Sequence, residues 1–150
     1  MTILRNDIPL GICSDHAGFQ MKEHMIGWLK SQQINVKDFG TYSPDSVDYA
    51  DYAHPMATAL EKGEVYPGIA ICGSGNGIAM TLNKHQGIRA AICWTVDIAE
   101  LARAHNDANV LVLPGRMIAD ELAEQIAATF FSTLFDGGRH QRRIEKIPVK

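Results

Sequence analysis

A chain of 150 residues, 46% hydrophobic and 21% charged, has the balance of one globular domain, 1–150, with a sizeable core. A net charge of −3 excludes a global basic field, so no nucleic-acid partner is expected. No apolar run reaches the roughly 20 residues that span a bilayer, and the opening MTILRNDIPLG has no h-region or cleavage signature, so neither membrane nor export is expected.

In chain order, PLGICS (9–14) reads as a strand, followed by a helix over 19–32 with apolar residues at near-helical spacing. INVKDFG (34–40) is a second strand. DYADYAHPMATALEKGE (48–64) is a helix that Pro55 must start, kink or split. GIAICG (68–73) is continuously apolar, as a strand buried on both faces would be. A helix over 76–86, a strand over 88–94, a helix over 97–107 and a strand over 108–115 follow. A long helix over 118–135 stops at Gly137 and Gly138, and a basic tail occupies 138–150. Five strand–helix alternations predict an α/β three-layer sandwich around a five-stranded parallel sheet. In such sheets ligands bind beyond the carboxyl ends of the strands.

The third strand delivers Cys72 into a loop with Gly73, Gly75 and Gly77. Three glycines in five residues, followed by a helix start near Asn76, expose backbone N–H groups suited to an anion. A dinucleotide fingerprint would need glycine at 78, where Ile78 stands, and the G-K-[ST] of a P-loop is absent. The bland alternative is a tight turn with no ligand.

The three cysteines, Cys13, Cys72 and Cys93, have no zinc spacing and suggest free thiols in a reducing cytoplasm. Cys13 and Cys93 lie within apolar strands and read as inert core. Cys72 ends its strand beside the amide-rich loop, where a thiol would be partly activated. Asp15 and His16 stand at the mouth of the first strand, where Ser14 or Asp15 could equally cap the next helix. His105 and Asn106 end a helix, which a histidine also favours electrostatically. Arg116 follows the last strand. Arg139 and Arg143 are four apart, on one face if helical, and guanidinium groups suit phosphate oxygens; a solvated tail is the alternative.

CSDHAGF, DYADYA, ICGSGNGI, NKHQGIRAA, ARAHNDANVLVLPGR and GGRHQRRIE, spread over residues 8–147, closely resemble the type B ribose-5-phosphate isomerases. Their wider family includes galactose-6-phosphate isomerase subunits. The resemblance implies a Rossmann-like domain working as a homodimer or dimer of dimers, with active sites shared between chains. It implies a sugar-phosphate substrate and neither metal nor organic cofactor. The reaction would move a proton between C2 and C1 of an aldose or ketose phosphate through an enediolate, which needs a base, oxyanion donors and a hydroxyl-proton shuttle.

By resemblance Cys72 is the base, and the N–H groups of Gly73, Gly75 and Gly77, with Asn76, hold the enediolate. Ser74 hydrogen-bonds the reacting oxygens. His105 opens the sugar ring, Asp15 contacts ring or chain hydroxyls, and Asn106 binds a hydroxyl. His16, Arg116, Arg139 and Arg143 hold the phosphate, some from the partner chain. Some relatives carry a glutamate base where this chain has Ile78, which points to the cysteine-base branch. Two alternatives stay open: the same reaction on a four- or six-carbon sugar phosphate such as erythrose, allose or galactose phosphate, and a non-catalytic sugar-phosphate-binding module.

Overall fold

A computed structural model describes residues 1 to 150. The elements are β1 (Leu10–Ser14), α1 (Phe19–Ser31), β2 (Val36–Asp38), α2 (Tyr49–Glu61), β3 (Gly68–Cys72), α3 (Asn76–Leu82), β4 (Ala90–Ile92), α4 (Val96–Asn106), β5 (Val110–Pro114), α5 (Asp120–Ser132) and α6 (Arg139–Ile144). The five strands form one all-parallel sheet in the order β2-β1-β3-β5-β4.

The pleat sends alternate residues to two separate cores. Ile12, Ile69, Ile71, Leu111 and Leu113 join α1, α4 and α5, with Phe130 and Phe131 fully buried among them. Cys13, Ala70, Cys72, Val110 and Val112 join Met56 of α2 and Ile78 and Leu82 of α3 on the other face. β1, β3 and β5 are buried throughout, which is why they read as unbroken apolar runs. The edge strands β2 and β4 are three residues each and only partly covered, shorter than the sequence suggests.

Other departures have local causes. α2 runs unbroken through Pro55, which neither starts nor splits it. α3 stops at Leu82 instead of reaching residue 86, because Asn83 turns its amide onto β4. Its Nδ2 donates to the Ala90 carbonyl at 2.9 Å and its Oδ1 accepts the Ala90 N–H at 2.8 Å. The basic tail is not simply solvated. It forms α6, anchored by buried Ile144, and the segment leading to it is pinned by the Asp136 N–H donating to the Ala104 carbonyl at 2.9 Å. At the other end of the chain, Ile3 packs into the larger core and donates its N–H to Phe131 O at 3.0 Å.

One buried charge lies in α1. The Lys22 side chain is fully buried, with Nζ 2.8 Å from Asp38 Oδ2 and 2.9 Å from Glu23 Oε1. A cation removed from water persists only when paired in this way. Asp38 also accepts the Gly40 N–H at 2.8 Å, so the pair fixes the turn beyond β2 next to the end of β1.

Candidate active site

The carboxyl ends of β1, β3 and β5 meet at one edge of the sheet. Beyond β1, Asp15 is buried, and its Oδ1 accepts the Gly18 N–H at 3.0 Å. Gly18 itself is the N-cap of α1, so Asp15 braces the turn and neither Asp15 nor Ser14 occupies the cap position. The Ser14 hydroxyl is buried without a hydrogen-bond partner. His16 is half-buried, and its Nδ1 lies 3.2 Å from both the amide nitrogen and the carbonyl oxygen of Val47. Its Nε2 has no partner within the chain.

Cys72 is the last residue of β3, 4% exposed, with its side chain on the α2–α3 face beside Ile78. Gly75 takes the left-handed conformation (φ +82°) at the start of α3, a geometry natural to glycine. At Gly77 the Tyr49 ring lies close, and a Cβ there would stand 2.4 Å from Tyr49 Cζ unless the ring moved. The Asn76 N–H donates to Ser74 Oγ at 3.2 Å. The N–H groups of Gly73, Ser74, Gly75, Gly77 and Ile78 have no acceptor within the chain, which leaves an amide fan beside Cys72. Arg116 borders this fan, with its N–H on the Gly73 carbonyl at 3.0 Å. A groove of about 570 Å³ continues past Ser74 and Asn76 to Ile92, Trp94, Pro114 and Met117. Trp94 and Met117 are 53% and 71% exposed.

Asp15, His16, Cys72, Gly73, Ser74, Gly75, Asn76, Gly77 and Arg116 are therefore brought to one edge. The remaining candidates are not. His105 and Asn106 end α4, which starts after β4 and runs back toward the amino end of β5. Eleven helical residues carry the chain about 16 Å, so these two lie at the opposite edge of the sheet. α6 packs on α4 and puts Arg139, His140 and Arg143 at that second edge. The His105 and His140 rings stack there, centroids 4.3 Å apart and planes 11° from parallel. Desolvation, then the positive neighbours His105, Arg139 and Arg143, hold His140 below the ordinary histidine value. Asn106, Arg139 and Arg143 are exposed.

Burial sorts the other thiols as expected. It raises Cys13 far above the usual thiol range and pushes Cys93 up to about 12, so both stay protonated. Sequence reasoning gave Tyr49, Lys22 and His140 no role. DYADYA and GGRH contain the first and last as plain motif letters, whereas nothing in a lysine between Met21 and Met25 signals a buried cation.

No helix of the structure is long and apolar enough to cross a membrane. The ribose/galactose isomerase family profile matches residues 10–147. Ribose-5-phosphate isomerase B of Escherichia coli is 43% identical over 133 residues, covering 89% of each chain. A crystal structure of a Thermotoga maritima ribose 5-phosphate isomerase superposes with a TM-score of 0.92 at 51% identity, over 94% of this chain and 97% of that one. Ribose-5-phosphate isomerase B of Mycoplasma genitalium, with bound ribulose 5-phosphate, gives 0.89 at 39% identity and 95% coverage of both. Fold and relatives together define an isomerase. This chain belongs to the ribose/galactose isomerase family.

Proposed function

We propose that the protein interconverts ribose 5-phosphate and ribulose 5-phosphate, and that each active site joins the Cys72 edge of one chain to the His105 edge of another. The observation that carries this reading is the division of the candidate residues between two opposite edges. The Cys72 edge offers a thiol, free amides, Asp15 and His16. The other edge offers a histidine, an exposed asparagine and the α6 guanidinium groups. The exposed apolar groove around Trp94 and Met117, continuous with the glycine loop, is the surface the second chain would cover.

In the joined site the phosphate lies among His16, Arg116 and the partner chain's counterparts of Arg139 and Arg143, where guanidinium forks match its oxygens. The counterpart of His105 moves the ring proton that opens the sugar, and Asn106 and Asp15 hold hydroxyls. Cys72 as thiolate removes the proton from C2, and the negative charge that develops on the C1 oxygen falls to the amide fan and Ser74. The O2 hydroxyl proton passes to O1 through the Ser74 hydroxyl, the sulfur returns its proton to C1, and C2 becomes the ketone. Ile78, fully buried beside Cys72, can supply no acid or base, which supports the thiol as the base.

Mixing two dead variants tests the reading. Cys72→Ala and His105→Ala chains, each inactive alone, should regain about a quarter of wild-type activity after co-refolding, since half the pairs are hybrids and each hybrid has one intact site. No recovery, with hybrids demonstrated by mass, would place both residues in one chain's site and sink the proposal.

A further inference from the structure

A second cluster of titratable side chains lies away from the candidate site, where α2 meets the turn between α3 and β4. His54 Nδ1 on α2 stands 2.7 Å from His85 Nε2 in the turn, with ring centroids 5.0 Å apart and planes tilted by 50°. The other His85 nitrogen, Nδ1, lies 2.9 Å from Glu61 Oε1. The second oxygen of Glu61 accepts the Gly87 N–H at 3.0 Å. The hydrogen bond with His85, first, and the Gly87 amide hold the Glu61 carboxyl below its ordinary value. His54 is exposed, and the His85 side chain is 19% exposed.

A proton count fixes what the pair can do. Ionised Glu61 only accepts, so His85 Nδ1 carries a proton. In neutral His85 the Nε2 lone pair is then bare and faces His54 Nδ1. One proton, on His54 Nδ1, holds the two nitrogens together. A cation can take that place, because both nitrogens can offer lone pairs once the His54 proton moves through solvent to its Nε2. Both rings stay neutral.

A histidine whose back nitrogen donates to a carboxylate is the arrangement that orients and strengthens metal ligands. Paired imidazoles favour zinc, copper and nickel over hard cations. Zinc–nitrogen bonds of about 2.0–2.1 Å at a tetrahedral angle set ligand nitrogens about 3.3 Å apart. The pair must therefore open by about 0.6 Å from its 2.7 Å separation, a movement that exposed His54 can make.

We propose that His54 and His85 form a site for a divalent transition-metal ion, with Glu61 orienting His85, and that the bound ion ties α2 to the α3–β4 turn. The remaining coordination positions face solvent. A competing cluster exists at His105, Asp136 and His140, whose donor atoms lie within 4.8 Å of one another. There the stacked rings hold their lone pairs in two nearly parallel planes, which disfavours convergence on one ion, and Arg139 and Arg143 repel a cation.

Calorimetric titration of the full-length protein with Zn²⁺ should show one saturable ion per chain, and the ion should raise the unfolding temperature. His54→Ala and His85→Ala should each weaken binding at least ~10-fold and abolish the thermal shift, and Glu61→Gln should weaken it about 10-fold. His105→Ala should bind as wild type does. The proposal is overturned if wild type shows no saturable binding, if His54→Ala binds zinc unchanged, or if only His105→Ala or His140→Ala loses it. Exposed His54 can be truncated without disturbing the core, so a folded test variant is available even if His85→Ala unfolds. Unchanged binding by Glu61→Gln would remove the orienting carboxylate from the site.

Discussion

Gly18→Ala probes how closely the first loop lies over the sheet. A Cβ at Gly18 would stand 2.4 Å from the carbonyl oxygen of Ile71 and 2.7 Å from its carbon. Ile71 belongs to β3, held between β1 and β5, so the obstacle is backbone with no rotamer to adopt. The loop itself must lift by about 1 Å to reach ordinary contact, weakening the Asp15 N–H bond to Ile71 O, already 3.3 Å long. Overpacking costs about 1–3 kcal/mol, and an immovable neighbour puts this case near 3. At about 2–4 °C per kcal/mol for a chain of this size, Tm should fall by about 6–12 °C. Calorimetry at fixed protein concentration measures it, since association shifts Tm. Gly77→Ala is the control. Its Cβ meets the Tyr49 ring, which is 41% exposed and can swing into solvent, so the cost should stay below about 1.5 kcal/mol. In a Tyr49→Ala background Gly77→Ala should cost less still. If Gly18→Ala costs no more than Gly77→Ala, the close-approach reasoning is refuted.

Cys72→Ala should keep sugar-phosphate binding and lose turnover by several orders of magnitude; near wild-type turnover would end its assignment as the base. Arg139→Ala should raise KM by the equivalent of about 1.5–3 kcal/mol for a lost charged hydrogen bond, with kcat less affected, and an unchanged KM would remove it from the phosphate site. His24 is held above the ordinary histidine value of 6.5, first by its hydrogen bond to Glu124 at 2.6 Å. A raised folded value contributes stability fully below 6.5 and loses it as pH climbs through that higher value. Urea unfolding from pH 6 to about 8 should therefore show wild type losing more stability than His24→Ala, and parallel profiles would contradict this.

The central strands were legible because sequence and burial agree: GIAIC and VLVLP have no polar side chain to place in water. The edges were less so, since β2 and β4 have one neighbour each and the chain leaves them early. α6 was unreadable as packed structure because RHQRRI offers a single apolar residue, Ile144, and its partner face on α4 lies more than thirty residues away. Of the candidate site, the loops after β1, β3 and β5 followed from the strand-end rule. The same rule contains the split: His105 and Asn106 precede a strand and so belong to the opposite edge. The Lys22–Asp38 pair had no signal, because a lysine within the apolar stripe of α1 looks like any surface lysine until tertiary packing closes over it.

The distance between Cys72 and His105 within one chain has a genetic consequence under the two-chain reading. After gene duplication, one copy can lose its thiol edge and the other its histidine edge, and every mixed pair still keeps one whole site. Selection would then act on the pairing surface, around Trp94 and Met117, to make each copy prefer its unlike sibling. The divided site is thus a ready starting point for obligate pairs of unlike subunits.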